Sequence, residues 1–216
     1  MEVFEFYQKI DYFADIYFIM SKYLNFDFLN IEHDNLVPQQ GRILISEPLL
    51  ADTYFKRSVV LITEHSENGS VGFVLNKPIE LMINEVLGDF PQFGAQVYVG
   101  GPVAKDTIHF LHTLGDKIPG SVQVLDNIYW GGDFDELKRV IDKGKVKPTQ
   151  VRFFLGYSGW RPLQLEEEIA ENAWLVTEVE ASKIMSADKD IWEKSLREIG
   201  KKFKVWANYP ENPSMN

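Results

Sequence analysis

The sequence predicts a mixed α+β fold built around one curled β-sheet, and three observations point to it. Short runs rich in β-branched residues recur from position 41 onward, each bounded by Gly, Pro or Asn. Among them lie stretches with helical apolar spacing that open on an acidic residue or a proline, two of them stopping at glycine. The third is bulk: of 216 residues, 45% are apolar and 13% aromatic, enough to fill a core, and no internal repeat or low-complexity linker divides the chain. One domain of many short strands, wrapped into a closed or half-closed sheet and flanked by helices, satisfies all three.

Residues 1–40 read as an N-terminal extension. Phe6, Ile10, Phe13, Tyr17, Met20 and Leu24 fall at helical spacing, which predicts an amphipathic arm packed on the main domain or on a second copy in a homo-oligomer. Met20 is an alternative start, which would leave residues 1–19 outside the native protein. Glu2, Glu5, Asp11 and Asp15, with no basic cluster, argue against a signal peptide. No run approaches the roughly 18 unbroken apolar residues of a membrane helix. A cytoplasmic protein without membrane contact is the expectation.

Pro38-Gln-Gln-Gly41 marks the boundary to the main domain, residues 41–205, which leaves a tail at 206–216. RILIS (42–46), SVVLITE (58–64) and VGFVLN (71–76) read as strands. Between the last two, Asn68-Gly69 predicts a hairpin tip, because both residues tolerate positive φ. QVYVGG (96–101), TIHFLHT (107–113), SVQVL (121–125) and VRFFLG (151–156) read as further strands. Asp133 with Glu136 predicts a capped helix over Phe134, Leu137, Val140 and Ile141 that stops at Gly144. Asp190 with Glu193 repeats the device before Trp192, Leu196 and Ile199, ending at Gly200. Pro162 suits the first turn of a helix through 163–172.

Lys and Arg total 22 against 32 Asp and Glu, a net charge of −10. A field of that sign repels nucleic-acid backbones and anionic lipid, and admits acidic ligands only at a local basic spot. With no cysteine, disulfides, thiolate catalysis and cysteine-ligated metal sites are excluded.

"LGYSGW" (155–160) raises the question of a serine nucleophile. A hydrolase elbow needs glycines two positions either side of the serine, but Gly159 comes one residue early and Trp160 is bulky. A strand-to-helix turn, with Gly156 and Gly159 relieving crowding and Trp160 buried, explains the segment without chemistry. His109 and His112 would share a face on a helix. On a strand their odd spacing sends them to opposite faces, one toward a core and one toward a surface or cleft, so no shared metal site follows. His65, beside Glu64 at the mouth of the hairpin, is a candidate base. Gly100 and Gly101 after a strand read as a tight turn rather than an anion loop, since no Walker lysine accompanies them.

Taken together, FKRSVVLITEHSENGSVGFVLNKP (55–78), VYVGGPV (97–103), FLHT (110–113), RFFLGYSGWRPLQLEEEI (152–169) and AWLV (173–176) strongly resemble the YqgE/AlgH family of bacterial proteins. The match runs in order across residues 41–200, while residues 1–40 match nothing in its pattern. The resemblance implies a bifurcated mixed β-sheet curled into a pseudo-barrel and flanked by helices. Its members are often labelled transcriptional regulators, and thiol-redox proposals for some relatives have no basis in a chain without cysteine. Mapped on this chain, the motif polar residues are Arg57, Ser58, His65, Asn76, Lys77, Tyr157, Trp160, Gln164 and Glu166, with His112 beside them, and they suggest one shared groove. Without a complete nucleophile–base or metal set, the first expectation is a non-catalytic, cofactor-free regulatory module that binds a small molecule or a protein partner. A regulator acting directly on DNA is the alternative, disfavoured by charge and the lack of a basic helix. A hydrolase using Ser158 and a histidine comes third.

Overall fold

The alternating apolar runs form ten strands in a computed structural model that describes residues 36–48, 50, 52 and 54–209. They are β1 (Ile43–Ser46), β2 (Val59–Ser66), β3 (Gly69–Val74), β4 (Pro78–Met82), β5 (Gln96–Val99), β6 (Val103–His112), β7 (Val122–Leu125), β8 (Ile128–Trp130), β9 (Val151–Trp160) and β10 (Trp174–Thr177). The helices are α1 (Ile83–Val86), α2 (Phe134–Asp142), α3 (Gln164–Ala170), α4 (Ala181–Met185), α5 (Ile191–Ile199) and α6 (Lys204–Ala207). Residues 1–35 of the expected 1–40 extension lie outside the described residues, as do residues 210–216 of the expected tail.

The strand order is β10-β1-β2-β3-β9-β6-β8-β7. β9 is where the sheet bifurcates. One of its edges carries β6 throughout, pairing at Val151–Leu155 and again at Tyr157. The other edge is shared: β5 runs parallel to Phe153–Leu155, and β3 runs antiparallel to Ser158–Trp160. β4 then pairs with the outer side of β5.

The sheet curls without closing, so β10 and β7 remain the edges of its main path and β4 the edge of its branch. The curl nevertheless brings the entry to β1 against β7, where Gln40 Nε2 donates to the Gln123 carbonyl at 2.6 Å. Both faces are buried. On β1 and β2, Ile43, Ile45, Val59 and Leu61 face Trp192 and Leu196 of α5, whereas Leu44, Val60 and Ile62 face Leu165 of α3 and Trp174. A third cluster packs Val97, Phe110 and Phe153 against Leu137 and Ile141 of α2. β1 and β2 therefore each serve two cores by the period-two alternation of their side chains. Trp206 on α6 is also fully buried, in the α5 core. Among the described residues, no helix is long and apolar enough to cross a membrane.

Four local expectations change. The strand expected over 151–156 continues to Trp160, because a positive φ of 67° at Gly156 makes a bulge through which pairing resumes. The hairpin turns at Glu67 and Asn68, with Ser66 paired to Gly69. Only Gly69 takes a positive φ, 118°. Asp133 caps α2 by accepting the Glu136 amide at 2.9 Å, but Asp190 gives α5 no side-chain cap. Strands β4, β8 and β10 and helices α1, α4 and α6 lie where no element was expected from periodicity; all are five residues or shorter, too brief to show a period.

Candidate functional site

The motif residues, glycines and Ser158 included, occupy three places rather than one groove. The first is a chain crossing over β9. After pairing parallel to β9 on one edge, the chain must pass its backbone to become β6 on the other. Gly100 and Gly101 make that passage. A Cβ on Gly100 would stand 2.2 Å from the Gly156 carbonyl oxygen, and one on Gly101 would stand 2.3 Å from the Tyr157 carbonyl. Gly156 faces the same crossing, where a Cβ would meet the Val103 oxygen at 2.6 Å. Ser158 is fully buried, and its hydroxyl donates to the Gly100 carbonyl at 3.0 Å. The serine ties the crossing down, and its printed hydrogen bond goes to a backbone oxygen rather than to a histidine. The hydrolase signature is a structural knot.

The second place is the hairpin end. His65 Nδ1 lies 2.8 Å from Ser70 Oγ, and its Nε2 lies 3.7 Å from Glu166 Oε1 of α3. This is a serine–histidine–carboxylate row, but Ser70 is 4% exposed and sits in mid-sheet, where its backbone is engaged by β2 and β9. Beside it, Tyr157 and Trp160 line a hollow of about 320 Å³. Beneath, Glu168 gathers three donors: Trp160 Nε1 at 2.9 Å, Trp174 Nε1 at 2.7 Å and Gln164 Nε2 at 2.9 Å. Gln164 also accepts the Arg161 amide at 3.1 Å. Those bonds fasten α3 to the sheet. Glu168 carries no mark in the sequence beyond its place among the acids of α3.

The third place is the opposite end of β2. Asn76 spans β3 and β2 by donating Nδ2 to the Arg57 carbonyl at 2.8 Å and accepting the Val59 amide at 3.0 Å. This grip holds Arg57 in the left-handed region, φ 52°, an uncommon conformation for a residue with a long side chain. The Arg57 guanidinium lies over the Trp192 ring at 4.4 Å and donates to the Tyr209 carbonyl at 3.0 Å. Ser58 is buried and turned inward, its hydroxyl donating to the Tyr54 carbonyl at 3.2 Å. Lys77 Nζ donates to the same carbonyl at 2.6 Å, and burial holds its amine below the ordinary lysine range, an effect that nearby Asp52 opposes. Arg57, Asn76 and Lys77 thus line one polar cleft of about 420 Å³, completed by Lys56, Lys189 and the first turn of α5. About 20 Å of β2 separates Val59, at this cleft, from His65.

His109 and His112 do fall on opposite faces of β6. His109 meets Phe73 and Tyr157 on the α5 side, and His112 is fully buried, stacked on Tyr129 at 5.7 Å. His112 Nδ1 accepts the Leu114 amide at 3.2 Å while Nε2 meets the Gly131 carbonyl at 3.0 Å, so the neutral ring has both nitrogens engaged. Burial lowers the pKa of both histidines.

One buried residue had escaped notice. Arg152, 5% exposed at the start of β9, donates to the Leu75 and Ile184 carbonyls at 2.6 Å each and lies over Tyr98 at 4.1 Å. Burial pulls its pKa down to about 10, which Tyr98 partly offsets. It braces the end of β3, immediately before Asn76, against α4. A lone cation inside an apolar strand run was the available signal.

The sequence profile of the AlgH-like family matches residues 43–204. The chain belongs to the AlgH-like family. A UPF0301 protein of Parabacteroides distasonis is 44% identical over 200 residues, 91% of this chain and 100% of that protein. A UPF0301 protein of Bacteroides thetaiotaomicron is 43% identical over 192 residues, 88% of this chain and 97% of that one. Among solved structures, the AlgH protein of Pseudomonas aeruginosa superposes with a TM-score of 0.65 at 26% identity, covering 83% of this chain and 98% of that chain. Protein DIP2367 of Corynebacterium diphtheriae shares the fold with a TM-score of 0.66 at 21% identity, covering 82% and 95%.

Proposed function

We propose that this AlgH-like protein is a non-catalytic binding module whose ligand site is the cleft between the β2–β3 end and α5. One observation carries the reading: Arg57, Asn76 and Lys77, brought from two separate segments, converge on a single opening, and Arg57 is held there in a left-handed backbone conformation by Asn76. Their chemistry is that of recognition. Arginine and lysine supply hydrogen-bond donors and positive charge, and among the described residues lining the cleft there is no serine, threonine or histidine. Ser158, the one residue that the sequence offers as a nucleophile, is occupied at the β9 crossing. A regulatory role follows from binding that shifts how the α5 end packs on the sheet, since Arg57 bridges the cleft to Trp192 and Tyr209.

The test is a thermal-shift screen of the full chain against a metabolite library, repeated with Arg57→Ala. The reading expects at least one compound to raise Tm in the wild type and to lose that effect in the variant. A library that moves neither protein, alongside a specific salt-dependent gel shift with DNA, would replace this reading with the direct DNA regulator.

A further inference from the structure

We infer that the hollow at the hairpin end is a second binding site, one that takes the alkylammonium group of a small molecule. It is separate from the cleft at Arg57 and rests on different residues. A β-bulge makes it. The pairing of β2 with β3 is regular up to Ile62, skips Thr63 and resumes at Glu64, which resets the alternation of side chains. Glu64, paired with Val71, therefore comes to the face of Phe73 and the α5 core, while His65 turns to the other face and meets Glu166 of α3. Val71 is in turn paired with Gly159, so Glu64, Val71 and Gly159 form one row across three strands. Tyr157, two residues before Gly159, and Val103, paired with Tyr157, form the next row. All five line the hollow of about 320 Å³.

The chemistry of the two rows is complementary to a cation with an apolar tail. Gly159 contributes no side chain, and a Cβ there would stand 3.2 Å from Tyr157 Cε2, so the bare backbone is what gives the ring its room. Val71 and Val103 add apolar walls, a surface for methylene groups rather than for water. The one charged side chain in the lining is Glu64, which is exposed and has no salt bridge among the described residues. The cations nearest in sequence to the lining are engaged elsewhere. Arg161 is held by Glu167 at 3.1 Å, and Lys105 donates to the Tyr54 hydroxyl. His109 packs on Tyr157 at 5.6 Å, but burial keeps its pKa below the ordinary histidine value, so at neutral pH it adds no competing charge. An ammonium group placed here pairs with Glu64 and lies against the Tyr157 ring, while its chain covers Gly159 and the two valines. The net charge of −10 favours the approach of that cation and opposes an anion. The volume, at the small end of ligand pockets, holds one head group and a short chain rather than a polymer.

The experiment is an amide chemical-shift titration of the full chain with n-butylammonium chloride, beside 1-butanol and sodium butyrate as neutral and anionic counterparts, at constant ionic strength. It is run on the wild type, Glu64→Gln, Tyr157→Leu and Tyr157→Phe, with a melting curve of each. Glu64 is exposed and anchors no core, so its variant should melt with the wild type. In the wild type the amine should give saturable shifts at Glu64, Val71, Val103 and Tyr157–Gly159, and the alcohol and the acid should bind more weakly. Glu64→Gln should weaken amine binding about fivefold, the upper end for an exposed charge pair. Tyr157→Leu should weaken it about threefold, and Tyr157→Phe, which keeps the ring, should restore it. Four results overturn the inference: 1-butanol binding as tightly as the amine, equal affinity in Glu64→Gln, no saturable shift in the folded wild type, or shifts centred on the Arg57 cleft.

Discussion

The crossing over β9 and the cleft at Arg57 are built from motif blocks of equal density, yet they spend their residues in opposite ways. At the crossing, every group faces another part of the chain: Gly100 and Gly101 lie against the β9 backbone, and Ser158 gives its hydroxyl to Gly100. At the cleft, the backbone is also fixed, by Asn76, but the charged ends of Arg57, Lys77 and Lys189 surround an opening. A motif rich in Gly and Ser can therefore be a packing solution, while plainer runs such as FKRS and LNKP build the cleft proposed as the ligand site. The difference lies in where the polar side chains end, against backbone at the crossing and around an opening at the cleft.

The comparison can be broken most severely at the crossing. Gly101→Val would drive a side chain into the Tyr157–Ser158 backbone, where a Cβ already stands 2.3 Å away. Backbone cannot yield as a side-chain tip would, so the expected loss is about 4 kcal/mol, seen as a collapsed urea midpoint or failure to fold. A variant that melts like the wild type would remove the close-approach argument.

Asn76→Ala comes next, because it leaves the Arg57 carbonyl and the Val59 amide without their partners. The expected cost is about 2 kcal/mol in chemical denaturation, with Arg57 released from its left-handed conformation. Its effect should extend to ligand protection, which separates it from the third change. Ser158→Ala deletes one buried hydrogen bond and should cost about 1 kcal/mol while leaving ligand protection at the cleft unchanged. Loss of a hydrolytic or binding activity in that variant would return Ser158 to the site.

The smallest expected effect is a pH dependence. His112 and His109 have folded pKa values below 6.5 because burial disfavours the charged ring. The unfolded chain therefore takes up protons first as pH falls, so stability is complete above about 6.5 and declines below it. His112→Gln should flatten that decline relative to its own value at pH 7.5. An unchanged slope in urea unfolding from pH 7 to 5 would assign the acid sensitivity elsewhere.

The strands at 42–46, 58–64, 71–76, 96–101, 107–113 and 121–125 were legible because alternation on a sheet buried on both faces still leaves β-branched runs between breakers. The continuation of β9 past Gly156 was not, since its meaning depends on Val103 and Gly101, more than 50 residues away, lying across it. The expected single groove failed for a similar reason. His65 and Arg57 are eight residues apart in sequence, but an extended strand places that interval along the length of the domain rather than around a turn. The row of His65, Ser70 and Glu166 needed the tertiary placement of α3, which no spacing encodes. Of the residues expected in that groove, Arg57, Asn76 and Lys77 do lie beside one another, because a strand pair brings the ends of β2 and β3 together by its register alone.

The division between the two regions is tested most directly by amide chemical-shift mapping of the full chain as a compound that raises Tm in the metabolite screen, and loses that effect in Arg57→Ala, is added. The account predicts saturable shifts concentrated at Lys56, Arg57, Lys77 and Lys189–Glu193, with Gly100–Gly101, Gly156–Ser158 and the hairpin from Ser66 to Ser70 unmoved. Shifts centred on the hairpin or the β9 crossing, with the Arg57 end silent, would contradict it.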